Sequence, residues 1–265
     1  MTDSHDSKKT PNPFMELKDI HSIEQLLASY IVAECIIEIR GERNTSIKKL
    51  AKDSVPKLNV PIKRYQELYE RFCGLVNYSP TFLFLMSTGL EDMYKYNFSK
   101  DPSVVTSANQ DTAHLSQAFG STYSALARVN LEEHTLNVLE KGIESGEKKG
   151  RVMQTALPMI ACLYHDFGKS TEIRVELVGE GIGKGYRAHA EVSQMYIREV
   201  LAIKYHQKFT EHSMEAIEQL AKVVKDHHPS HKSQKSDTMI SYVIAADMDA
   251  RKDEMKKIKQ QVERR

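Results

Sequence analysis

The stretch "ALPMIACLYHDFGK", residues 156–169, sets His165 and Asp166 at the end of an apolar run. A run of this kind folds into the interior, and a carboxylate carried inside without a partner costs several kcal/mol. Any fold the chain adopts must therefore bring compensating charge to Asp166. That demand directs attention to other polar side chains that also face inward.

Hydrophobic periodicity supplies them. The spacing is helical almost throughout: Ile23, Leu26, Leu27, Tyr30, Ile31 and Cys35 recur at three- and four-residue steps, as do Ile62, Tyr65, Tyr69, Phe72 and Val76. From about residue 112 five more helical stretches follow: "LEEHTLNVLEKGI", "RVMQTALPMIACLYHDFG", "HAEVSQMYIREVLAIKY", "HSMEAIEQLAKVVKDHH" and "DTMISYVIAADMDARKDEM". Pro158 either kinks the second of these or starts it afresh.

His134 shares a face with Leu131 and Val138, and His189 begins the stripe Val192, Tyr196, Val200. His227 and His228 continue Met214, Ile217, Leu220, Ala221 and Val224, while Asp247 follows Ile240, Val243 and Ile244. One inward histidine is ordinary core. Five histidines and two aspartates, each on the buried side of its helix, point to a shared metal centre, because one cation offsets all their burial costs together.

Imidazole and carboxylate without thiolate suit Mn, Fe, Co, Ni or Zn rather than calcium. Seven donors exceed the need of one tetrahedral ion. If Asp166 bridges, they divide around two divalent transition-metal ions roughly 3.5–4 Å apart. Such a pair brings the pKa of a water near neutrality and clamps the oxygens of an in-line displacement, which is machinery for phosphate ester hydrolysis.

The order His134, His165-Asp166 in "HDFGK", then Asp247 in "AADMDAR" resembles the HD-domain metal-dependent phosphohydrolase superfamily. "EHTLNV" is similar to that family's first-histidine helix, and "AD" with an arginine four residues on looks like its last-ligand helix. His189, His227 and His228 resemble its two-metal branch, which includes cyclic-dinucleotide phosphodiesterases and CRISPR-associated HD nucleases.

The resemblance covers roughly residues 112–255. It implies one metal held by His134, His165, Asp166 and Asp247, and a second by Asp166, His189, His227 and His228. It places Lys169 where the family's lysine supports substrate phosphate or the attacking hydroxide. "DHHPSH" offers His231 as a third histidine, but Pro229 should end the helix and leave His231 on an exposed loop.

The expected fold is all-α: an HD-type helical bundle with a helical N-terminal extension and a short hairpin or flap. Residues 1–13 read as a disordered leader, 14–110 as a helical region of unstated role, 111–255 as the phosphohydrolase domain and 256–265 as a charged tail. The hairpin is expected in "EIRVELVGEGIGKGYRAH", where alternation leads into four glycines. "GEGIGKG" does not fit a phosphate-binding P-loop, since Gly185 follows Lys184.

As a flap it would bring Lys184 or Arg187 to substrate phosphate. Arg128, six residues before His134, is a further candidate phosphate contact, and His114 a weaker one. Asp249, two residues past Asp247, turns to another face of the helix.

Composition limits the setting. A net charge of +1 gives no global pull toward nucleic acid or anionic lipid. The apolar stretches are too short to span a membrane, and the opening residues lack the apolar segment of a secretory signal. Cys35, Cys73 and Cys162, odd in number and set in apolar segments, fit reduced thiols in the cytoplasm.

The expected activity is hydrolysis of a phosphate ester of a nucleotide or cyclic dinucleotide by a metal-activated hydroxide. Alternatives are an HD-type nuclease on single-stranded DNA or RNA, a diiron oxygenase, and a non-catalytic nucleotide sensor. A small-molecule nucleotide is the expected partner; the oligomeric state is not legible.

Overall fold

The computed structural model describes residues 55, 57–76, 79–104, 126–149, 152–179, 188–209, 214–227 and 238–264. Lys57–Asn77 and Thr81–Arg265 form one compact unit, to which the elements below belong. The leader at 1–13 and the helical periodicity at 23–35 lie outside the described residues. Among the described residues the structure is helical with no strand, and an isolated bridge joins Pro102 and Asn130. Among the described residues no helix is long and apolar enough to cross a membrane.

The predicted stripe of Tyr65, Tyr69 and Phe72 forms the buried face of α1, Lys63–Leu75, together with Leu68 and Cys73. That face packs on α3, Leu131–Lys149. Polar contacts flank the packing: Arg64 reaches Asn137 at 2.7 Å and Glu140 at 3.1 Å, and Tyr65 donates to Glu132 at 2.8 Å. At the start of α3, Asn130 Oδ1 accepts the backbone N–H of Glu133. Glu132 and Glu133 in its first turn and Lys148 and Lys149 in its last complement the helix dipole.

The central element is α4, Val152–Tyr164, whose residues 155–164 are all buried. Pro158 lies inside it without ending it. Around α4 pack α3, α8 (Glu215–Lys225) and α9 (Thr238–Glu263). The charged residues expected as a tail from 256 continue α9 through Glu263. Helix α2, Pro80–Lys95, meets α4 closely at Gly89, and Tyr164 Oη donates to Leu85 O at 2.7 Å.

A strap leads from α2 back to the ligand-bearing helices. Asn97 takes a left-handed conformation with φ 53°, which asparagine tolerates. A 3₁₀ turn, Phe98–Lys100, follows. Leu131 N then donates to Asp101 O at 2.8 Å, and Ser103 N to Val129 O at 3.0 Å. Residues 57–76 and 81–104 thus belong to the same unit as the helices carrying the inward polar residues.

Residues 172–178, expected as the strand leading into the hairpin, instead belong to α5, Thr171–Val178. The alternation in "EIRVELV" is not used as one: Ile173 is buried but Val175 is 41% exposed. Capping decides the outcome. Ser170 Oγ accepts from Ile173 N, and the Asp101 carboxylate accepts both Thr171 N at 3.0 Å and Thr171 Oγ1 at 2.6 Å. Gly179, at φ 83°, closes the helix. The glycine-rich remainder, 180–187, lies outside the described residues.

The stretch from 189 is one helical rod: α6, His189–Tyr196, a π-helical turn, Ile197–Leu201, and α7, Ala202–Lys208. Eight residues of regular helix would rotate Lys204 about 80° away from Tyr196. The wider π turn brings them back into line on one carboxylate. Tyr196 Oη donates to Asp92, and Lys204 Nζ lies 2.6 and 2.7 Å from its two oxygens. This tie between α2 and the rod is buried at Asp92.

A β-carbon at Gly89 would lie 2.6 Å from Leu163 Cδ2 and 2.7 Å from the Tyr164 ring, both fully buried. Gly89→Val should therefore force α2 from α4 and lower stability by roughly 1–3 kcal/mol. A urea-unfolding midpoint equal to that of the wild type would show that the helices are not so closely apposed.

Candidate metal centre

The inward-facing residues converge largely at helix ends. His165 and Asp166 follow the last turn of α4, His189 opens α6, and His227 lies just past α8. His134 is in the first turn of α3 and Asp247 within α9. Side chains from three helices and from the turns that follow two others thus form two groups able to hold a metal ion: His134, His165 and Asp247, and Asp166, His189 and His227. Within each group the donor atoms lie within 4.8 Å of one another.

Asp166 stands between the groups. Its Oδ2 is 3.5 Å from His134 Nε2 and 3.2 Å from His165 Nε2, while its Oδ1 is 3.3 Å from His189 Nε2. Asp247 Oδ1 is 3.2 Å from His134 Nε2. The cluster is buried except at Asp247, whose side chain is 33% exposed and marks the open side.

Helix ends also set the imidazole tautomers. The last carbonyls of an α-helix lack intrahelical partners. Cys162 O accepts from His165 Nδ1 at 2.8 Å, and Val224 O from His227 Nδ1 at 2.6 Å. A carbonyl only accepts, so each Nδ1 carries hydrogen and the Nε2 of the neutral ring presents a lone pair to the cluster. His134 Nδ1 meets the Glu254 carboxylate at 2.9 Å with the same result.

The consequence is a concentration of electron pairs without donors. His134 Nε2, His165 Nε2, Asp166 Oδ1 and Asp247 Oδ1 are all buried without a hydrogen-bond partner. Lone pairs about 3 Å apart repel unless positive charge lies among them.

The titration behaviour agrees. Burial opposes charge on Asp166, yet His165, Lys169 and His134 hold its carboxyl well below the ordinary carboxylate range. Desolvation acts likewise on Asp247, and His134 and Arg251 overcome it in the same direction. Burial and Arg251 pull the His134 ring down, but Asp166, Asp247 and Glu254 outweigh them and hold it up at about 9, so the carboxylates draw a proton onto the same Nε2 that would otherwise offer its lone pair to a metal cation. Burial and the neighbouring His165 push His227 down to about 3, keeping it neutral. The donor set therefore fits a cation.

Lys169 lies beside the cluster. Its Nζ donates to Asp166 Oδ2 at 2.7 Å and to Ser103 O at 3.1 Å. Arg128 is exposed in the turn before α3 and makes no described contact with the cluster. His228, Lys184, Arg187, His114 and His231 lie outside the described residues. Asp249 is exposed and paired with Lys252, as its helix face implied.

Three supporting residues, Glu254, Ser103 and Ser193, escaped the sequence reading, and Arg251 entered it only as the arginine four residues after Asp247. Glu254 is buried against His134, and Arg251 donates to Glu254 at 3.1 Å and to Ser103 Oγ and O at 2.9 and 3.0 Å. Ser103 had no signal at all. Ser193 Oγ accepts from Gly168 N at 2.7 Å and donates to His165 O at 3.1 Å, stitching α6 to the "HDFGK" turn. Glu254 did carry a signal: it lies seven residues after Asp247, two helical turns along one face. No family model, curated protein or solved structure matches the chain.

Gly168 explains the glycine of "HDFGK". A β-carbon there would lie 2.0 Å from His189 O and 2.7 Å from Ser193 N. Both are backbone atoms, so no rotamer relieves the clash. Gly168→Ala should push His189 away from Asp166 and weaken Co²⁺ binding about tenfold or more. Equilibrium dialysis of the metal-stripped variant against wild type checks this, and equal uptake would contradict it.

Proposed function

We propose that this chain is a metal-dependent phosphohydrolase or phosphodiesterase that cleaves a phosphate ester of a nucleotide or cyclic dinucleotide. The observation that carries the reading is the buried cage with four partnerless donor atoms, His134 Nε2, His165 Nε2, Asp166 Oδ1 and Asp247 Oδ1, open on the side of Asp247. Its residues appear in the chain order that resembles the HD-domain superfamily.

In this reading His134, His165, Asp166 and Asp247 hold one divalent ion, and Asp166, His189, His227 and His228 a second. Two Mn, Fe, Co, Ni or Zn ions would lower the pKa of a water and neutralise charge on the phosphoryl group. The protein's own part is positioning and charge. Asp166 turns one oxygen toward each group, so a single carboxylate sets both.

Lys169 has three N–H donors, of which Asp166 and Ser103 take two. The third is available to a phosphate oxygen as negative charge develops. Arg251, 3.8 Å from Asp247 Oδ1, adds positive charge on the open side. The Nδ1 partners of His134, His165 and His227 keep their rings oriented with Nε2 inward throughout.

The test is elemental analysis of purified protein, then a screen of nucleotides, cyclic dinucleotides and a single-stranded oligonucleotide with each metal. Asp166→Ala should retain the helical far-ultraviolet spectrum while turnover falls below about 1% of wild type, since both ion sites lose their shared ligand. Undiminished hydrolysis by that variant would sink the proposal. Preferential degradation of the oligonucleotide would move the substrate from nucleotide to nucleic acid.

A further inference from the structure

Resting on the metal-centre reading above, we infer that Glu254 is a positioning residue that makes the two candidate cation sites unequal. It holds His134 as the Nδ1–H tautomer and lends it negative charge, so the group His134–His165–Asp247 takes up a divalent cation before the group Asp166–His189–His227.

Glu254 is 2% exposed, and three donors hold it. His134 Nδ1 at 2.9 Å and Asn137 Nδ2 at 2.8 Å share Oε1, and Arg251 Nη1 lies 3.1 Å from Oε2. Arg251 is itself anchored on Ser103. A carboxylate so enclosed is not a ligand in waiting: it meets His134 through the ring nitrogen opposite the cage.

The acceptor chemistry separates the two groups. His165 and His227 give their Nδ1–H to the neutral carbonyls of Cys162 and Val224, whereas His134 faces an ionised carboxylate. An anionic acceptor forms the stronger bond and makes the far nitrogen a better electron-pair donor. The same group also contains Asp247, so more negative charge surrounds it than surrounds the second group, whose acid is the shared Asp166.

The geometry behind this asymmetry is local. Asp247 and Glu254 are two turns apart on α9, and His134 and Asn137 are one turn apart on α3, so one pair of packed helices delivers ligand and support together.

The experiment is calorimetric titration of the metal-stripped full chain with Co²⁺ alone. The wild type should bind in two steps of different affinity. Glu254→Gln keeps the shape and drops the charge; it should weaken the tighter step about 10–100-fold and leave the weaker one in place. Glu254→Asp keeps the charge but is too short to reach Nδ1, and should show the same loss.

An unchanged isotherm for Glu254→Gln, wild-type affinity for Glu254→Asp, or equal weakening of both steps would each overturn the inference. His189→Ala tests the order of filling without touching Glu254: the weaker step should vanish and the tighter persist, and the reverse result overturns it. A wild type that takes up no Co²⁺ would instead remove the metal reading itself, and this inference with it.

Discussion

The ionised carboxylate of Asp166, buried where two groups of donors meet, is the constraint on which the rest of the structure depends. An isolated charge at that position would be strongly destabilising. Lys169 donates to one of its oxygens, and the three imidazole Nε2 atoms beside it complete a donor set that a cation would satisfy. Bringing those imidazoles in requires α3, α6 and the "HDFGK" turn to close on one point. The close approach of Gly168 to His189 O, and Ser193 bonded to both Gly168 N and His165 O, are how the chain achieves that closure.

The region before the ligand-bearing helices contributes more than coverage. Its strap places the Ser103 carbonyl where Lys169 and Arg251 both donate to it, fixing two cations at the edge of the cluster. Its Phe98 ring packs 4.9 Å from Phe167, the residue between Asp166 and Gly168, and Asp101 caps α5. Asp92 ties the helix carrying His189 through Tyr196 and Lys204, with a π turn supplying the register. Segments of this sort set second-layer geometry, which governs ligand orientation as much as the ligands do.

Much of this was legible from periodicity, and the failures have physical causes. His134, His189 and Asp247 each sit on the apolar stripe of a helix, and His227 continues such a stripe just past a helix end, so spacing alone turned them inward, and the structure gathers them. Pro158 in an otherwise apolar helix left two readings open, and the buried surroundings of α4 keep the helix continuous. "EIRVELV" alternates like a strand, but the deciding contacts come from Asp101, seventy residues away, which no local window contains. Ser103 and Ser193 act through single hydrogen bonds that leave no periodic trace. Glu254 was visible in principle as an acid on the Asp247 face, but its charge and the surrounding "ARKDEMKK" suggested solvent.

Helix termination connects the fold to its chemistry. A helix must end with unpaired carbonyls, and here two such ends each offer one to the ring three residues further on, Cys162 to His165 and Val224 to His227. The groups that a helix leaves unsatisfied therefore become the devices that aim lone pairs at the cluster. Because that aim is set by main-chain geometry, it survives side-chain substitution nearby; the aim of His134, set by a carboxylate, does not. The cluster then opens beside Asp247, with Lys169 and Arg251 on its edge, so an anion approaching from that side meets positive charge already held in place. Under the proposed function, preorganisation of this kind would favour a substrate whose negative charge grows during reaction over one that is neutral throughout.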